Sequence, residues 1–162
     1  MNTLTTQACL RTYNRLFKEN DELYHEIARY FGLSDCALWI LYTIREEEQA
    51  LTQSYICESL FLPRQTIHSA IKKLEEEGVL TLRYKEGNRK NKELALTKQG
   101  RLLAERTADQ VIAAEERALS HLSEAERSRF LQLYQKYIDQ LRKELTEIQS
   151  AQLSESETGG KK

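Results

Sequence analysis

Residues 51–100 read LTQSYICESLFLPRQTIHSAIKKLEEEGVLTLRYKEGNRKNKELALTKQG, and along them the hydrophobic period passes from helical to strand-like. Thr52 is placed to cap a short helix ending near Leu60, with Leu51 and Ile56 as a hydrophobic staple. After the Phe61-Leu62 link, Pro63 opens a second helix that runs to about Glu77 and stops at Gly78. Val79–Tyr84 and Glu93–Leu96 then carry strand-type residues. The polar stretch from Lys85 to Lys92, with Gly and Asn turn formers, separates them. Two short helices joined by a brief turn, followed by a hairpin with a basic tip, predict a helix-turn-helix with a two-stranded wing.

The second of these helices divides into two faces. Ile67, Ala70, Ile71 and Leu74 share one side, while Arg64, Gln65, His68, Ser69 and Lys72 share the other, flanked by Thr66 and Lys73. A recognition helix needs this division, because one side docks on a core and the other is presented to the major groove. The residue types suit base reading: Arg pairs bidentately with guanine, Gln with adenine, and Ser or Thr with several edges. The bland alternative is an amphipathic surface helix with a solvated polar face. In the wing, Arg89, Lys90 and Lys92 can reach phosphates or a narrow minor groove. Gln53 and Ser54, opening the first short helix, can bond phosphates through backbone N–H groups.

Charge distribution agrees with this reading. The whole chain of 162 residues carries a formal net charge of -1. Between Phe61 and Arg101, however, ten Lys and Arg face five Glu and no Asp, a local +5, which leaves -6 on the rest. A basic middle between acidic flanks is the footprint of a polyanion site.

Outside the basic segment the pattern is helical. Leu10, Tyr13, Phe17, Tyr24, Ile27 and Phe31 form one stripe on a first helix of about 25 residues, closed by Gly32. Ser34 caps a second helix, to about Glu46, that holds the only Trp, Trp39. Thr97 caps a long helix expected to reach about Ser120. Ser123-Glu124-Ala125-Glu126 is a capping box for a last helix, striped by Phe130, Tyr134, Tyr137, Leu141, Leu145 and Ile148. The long terminal stripes predict a homodimer, since a monomer would leave large apolar faces in water.

The quoted segment resembles the core of the MarR family (multiple antibiotic resistance regulators). The helix ending in Lys72-Lys73-Leu74-Glu75-Glu76-Glu77-Gly78-Val79, the wing, and Leu96-Thr97-Lys98-Gln99-Gly100, similar to the family's Leu-Thr-x-x-Gly, carry the likeness. The resemblance implies a mainly α fold with a small two-stranded wing and interlocking N- and C-terminal dimerisation helices. It further implies double-stranded DNA as partner, pseudo-palindromic operators, mostly repression, and release by a small effector or an oxidant. The expected organisation is a single MarR-like domain over about 1–150. Its winged core covers about 34–100, its dimerisation helices about 3–31 and 98–150, and its disordered tail 151–162. Family wings commonly carry an Asp two residues before the tip Arg, whereas here Gly87 and Asn88 precede Arg89.

Other readings are weaker on their residues. No Gly-rich phosphate loop, Gly-x-Ser-x-Gly or His-Glu-x-x-His is present, and His25, His68 and His121 lack metal-ligand spacing. No enzymatic role, cofactor or metal is therefore expected. Three scattered cysteines and no Cys-x-x-Cys suggest a reducing compartment. Met1–Leu10 has neither the basic start nor the apolar block of a signal peptide, so a cytoplasmic, non-membrane protein is expected. Two alternatives stay open: a thiol-based redox-sensing regulator using Cys9 beside Arg11, and a winged helix devoted to protein contacts. Tyr13, Phe17, Trp39 and Tyr42 are candidate walls of an effector cleft, with dimer core as the plain alternative.

Overall fold

The computed structural model describes residues 5–47, 51–85 and 88–158. The elements run α1 (Thr6–Tyr30), α2 (Asp35–Glu46), β1 (Leu51–Thr52), α3 (Gln53–Leu60), α4 (Arg64–Glu76), β2 (Leu80–Lys85), β3 (Asn88–Leu96), α5 (Lys98–Arg106), α6 (Ala108–Ser120) and α7 (Glu124–Thr158). Two compact units divide between Ala114 and Glu115, within α6. Among the described residues no helix is long and apolar enough to cross a membrane.

In the first unit, helix starts sit where the sequence has hydroxyls. Thr5, Ser34, Thr52 and Thr97 each accept a hydrogen bond from the backbone N–H three residues on. Ile67, Ile71 and Leu74 of α4 are buried with Ile40 and Leu41 of α2, Ile56 of α3, and Leu80 and Leu94 of the sheet. This cluster is the core of a winged helix-turn-helix. A satellite cluster of Ala28, Leu38 and Val111 ties α1 and α2 to α6.

In this unit three boundaries differ from the sequence reading. The sheet has three strands in the order β1-β3-β2, because Leu51 and Thr52 pair antiparallel with Leu94 and Glu93. A two-residue strand carries no period of its own; burial of Leu51 against Leu94 creates it. The wing is also longer than expected. β3 begins at Asn88, and Tyr84 pairs with Lys92 although the segment is polar, since backbone pairing needs no apolar side chains on a solvent-facing ribbon. The helix expected from Thr97 to Ser120 is broken at Thr107 (φ -126°, ψ -87°). There Thr107 Oγ1 donates to Leu103 O at 2.8 Å, so a side chain takes a carbonyl that the helix ladder would use. The break lets Ala108 enter the core. Arg45 grips Asp109, in the first turn of α6, through two 2.7 Å hydrogen bonds.

The junction after α4 is tightly specified. Gly78, at φ 69°, ends the helix in the left-handed region, and Val79 N–H returns to Leu74 O at 2.8 Å. Val79 O in turn accepts from Thr97 N–H at 3.1 Å, and Thr97 Oγ1 donates to Gly78 O at 2.6 Å. Gly100 packs so closely here that an added Cβ would lie 2.0 Å from Val79 O. The Leu-Thr-x-x-Gly pattern thus has a steric reason: α5 docks on the backbone that joins α4 to the wing.

In the second unit the capping box forms as read. Ser123 N–H and Oγ each donate to Glu126 Oε2 at 2.8 Å, and Glu126 N–H donates to Ser123 Oγ at 3.3 Å. α7 runs to Thr158, past the Ser150 boundary at which the sequence reading begins a tail.

Two outcomes are expected. Gly100→Ala, a change that stabilises an exposed helix by about 1 kcal/mol, should here destabilise by about 3 kcal/mol; a urea midpoint equal to or above the wild type would refute the close approach. The second concerns Glu126, whose carboxyl is held below its ordinary value first by the Ser123 backbone N–H and then by the Ser123 hydroxyl. A depressed pKa contributes stability above the unfolded value and loses it as pH falls through the folded one. Carboxyl NMR should show Glu126 titrating below the solvated glutamates, with Ser123→Ala moving it upward.

Candidate nucleic-acid interface

α4 lies on the core through Ile67, Ile71 and Leu74, so its opposite side faces outward by the helical period alone. Arg64, Gln65, Thr66, His68, Ser69, Lys72 and Lys73 are all exposed. The helix begins at Arg64 directly after Pro63, which caps without a side-chain hydrogen bond.

The charges at its two ends run against its dipole, although Lys73 in the last turn runs with it. Arg64 stands at the N-terminal end, where the dipole is already positive, and Glu75 and Glu76 stand at the negative end. No acidic side chain among the described residues pairs with Arg64, whereas Lys72 and Lys73 reach Glu76 and Glu77 at 3.7 and 3.8 Å. Exposed pairs of that kind hold little energy. The arrangement makes the leading end of α4 electropositive.

The wing stands beside that end. Leu80, Leu82, Leu94 and Leu96 turn one face of the hairpin to the core. Tyr84 and Lys92 lie opposite each other further out, with Lys92 Nζ 5.4 Å from the Tyr84 ring centroid. Between the wing and the helix-turn-helix is a cleft of about 320 Å³, lined by Thr52, Gln53, Ser54, Cys57, Arg64, Leu82, Tyr84 and Lys92. Gln53 Nε2 lies 3.3 Å from His68 Nδ1, which links α3 to the exposed row of α4. A donor amide there requires the Nε2–H tautomer of the imidazole, leaving that proton free for an acceptor.

Of the residues nominated from the sequence, Gln53, Ser54, Arg64 and Lys92 therefore converge on one cleft. Gln65, Thr66, His68, Ser69 and Lys72 continue along α4. Arg89 and Lys90 fall on β3, and their side chains lie outside the described residues. The sequence reading missed Tyr84, whose signal was an aromatic in a basic strand. The set offers a guanidinium, an ammonium, amides and hydroxyls, the donors that a phosphate backbone and base edges accept.

The other candidates are distributed differently. Trp39 packs against Tyr42 and Tyr24, with ring centroids 5.3 and 4.8 Å apart, beside the satellite core. Tyr13 stacks on Phe17 at 6.3 Å as a separate pair on α1. Cys9 is exposed on α1 and Cys57 is buried. Burial, with Cys57 and Asp35 adding to it, pushes the Cys36 thiol above its ordinary value. His25 Nδ1 sits 3.0 Å from Asp35 Oδ1, an α1–α2 contact away from the α4 row.

Residues 31–90 match the sequence model of the MarR family. That MarR-type segment contains α2, α3, α4 and most of the wing. No curated protein matches the chain. Among solved structures, a MarR family regulator from Neisseria meningitidis, NMB1585, shares 21% identity. It covers 91% of this chain and 99% of its own, with a TM-score of 0.70. A putative MarR family transcriptional regulator from Listeria monocytogenes, solved with a 26mer DNA, shares 23% identity over 87% of this chain and 93% of its own, at a TM-score of 0.65. The S. aureus MepR-DNA complex shares 20% identity over 87% and 99%, at 0.63. At these identities the likeness is one of fold, and the MarR-type winged helix lies where the sequence places it.

Proposed function

We propose that this chain is a transcriptional regulator of MarR type. It binds double-stranded DNA sequence-specifically as a homodimer and represses by occupying a pseudo-palindromic operator. The observation that supports this best is the convergence of Arg64, Gln53, Ser54 and Lys92 around one cleft beside the exposed row of α4. Two proteins of the same fold were solved with DNA, which favours DNA as the partner here. In this reading α4 enters the major groove, α3 and Lys92 hold phosphates, and Arg89 at the wing reaches the minor groove. The protein acts by binding and not by catalysis.

Dimerisation draws on apolar surface left open on both terminal elements. Leu16, Phe17 and Leu23 on α1, and Phe130, Leu131 and Ile148 on α7, are all about half exposed. Surface of this extent on long helices marks an interface. A dimer must set its two α4 helices one DNA turn apart, about 34–36 Å. A small effector releases DNA by preferring another spacing, to the degree that its affinities for the two states differ.

Selection of bound duplexes from a random pool should return an inverted repeat with half-sites about one turn apart. On that duplex Arg64→Ala should lose selective binding, by about 1–3 kcal/mol for the base contact. Lys92→Ala should weaken all duplexes alike and reduce the salt slope by about one. Equal losses by both variants on specific and random DNA would refute this division of roles. Light scattering should give twice the chain mass at micromolar concentration, and a monomer there would count against the architecture.

A further inference from the structure

Phe61, in the turn between α3 and α4, is 93% exposed, more than any other large apolar side chain among the described residues. It is also the only non-glycine at positive φ among them, at φ 51° and ψ 27°. Both properties oppose folding. A ring left in water forgoes the gain of burial, and left-handed backbone crowds its Cβ against the carbonyl. Gly or Asn would close α3 at that position without either disadvantage. A strained residue that its surroundings do not reward points to a contact made elsewhere.

The site of that contact follows from the chain. Leu62 packs against the core while Phe61 and Pro63 stay exposed, so the ring faces outward from the turn that delivers Arg64. The two residues are close in sequence, at most about 10 Å apart along the chain. Most other exposed large apolar side chains lie on α1, α5, α6 or α7; within 33–100 the only other one among the described residues is Tyr84, which carries Lys92 over its ring. Phe61 thus belongs to none of the helical stripes. It is an isolated aromatic at the electropositive end of α4.

We propose that Phe61 is a DNA-contacting residue. Its ring packs on apolar surface at the edge of the major groove, a thymine C5-methyl or a deoxyribose, beside the base read by Arg64. The thymine methyl is the apolar mark of the major groove. The surrounding basic groups favour a duplex over a protein surface as the partner that brings such a group here. This inference rests on the DNA-binding reading and adds a determinant of sequence preference to it.

The test uses the full-length protein and the selected duplex, with Phe61→Gly and Phe61→Asn as variants that suit left-handed backbone. Both should unfold at the wild-type temperature or above. Both should also bind the duplex more weakly, by about four-fold for each methyl-sized apolar group that the ring would otherwise cover. Replacing half-site thymines by uracil separates the two modes of packing. If a methyl is touched, the wild type weakens and Phe61→Gly does not; if a deoxyribose is touched, Phe61→Gly stays weak and uracil affects both proteins alike. Folded variants that bind as tightly as the wild type would overturn the inference. If Arg64→Ala still loses selectivity in that case, DNA binding stands and the ring belongs to a protein contact. A wild type without selective binding overturns both.

Discussion

The backbone around Val79 is the point on which the geometry of the candidate interface depends. Its N–H closes α4 onto Leu74 O, its carbonyl receives Thr97, and Gly100 allows α5 to rest against that same carbonyl. Three elements meet there: the end of α4, the start of the wing and the start of α5. Their mutual angles decide whether Arg64 and Lys92, 28 positions apart in sequence, line one cleft. The contacts are backbone carbonyls, a hydroxyl and a missing Cβ, which tolerate little adjustment. A rigid joint of this kind positions long flexible cations more reliably than the cations could position themselves.

The charge arrangement on α4 is the other half of the design. For stability alone, acids belong at the start of a helix and bases at its end. Here Arg64 leads and Glu75, Glu76 and Glu77 follow, with Lys73 of the last turn in the favourable place. The core face of Ile67, Ile71 and Leu74 holds the helix in place regardless. Burial thus offsets an unfavourable electrostatic order, and that order is favourable once a polyanion lies across the leading end. Phe61 follows the same logic one turn earlier: a conformation unhelpful to the free protein sits beside Arg64, at the electropositive end of α4.

Much of this was legible in the residues. Ser34, Thr52 and Thr97 announced helix starts, and Ser123 with Glu126 announced the last one, because capping is a local exchange between a side chain and nearby N–H groups. The two faces of α4 were equally plain, since a helix repeats every 3.6 residues whatever it packs against. Less could be read where the partner is remote. Leu51 looked like a staple residue and became a strand through Leu94, 43 positions away. The helix after Thr97 showed no Pro or Gly near its break, and that break at Thr107 answers the need to bury Ala108 and to bring Asp109 to Arg45.

The sequence by itself determined the elements, the polarity of α4 and the basic character of residues 61–101, all of which depend on neighbours within one or two turns. Only the tertiary structure decided which cations share a cleft, why residue 100 must be glycine, and that Phe61 is strained as well as exposed. Those facts depend on distances between segments far apart in the chain, and such distances exist only after the core of α2, α3, α4 and the sheet has closed.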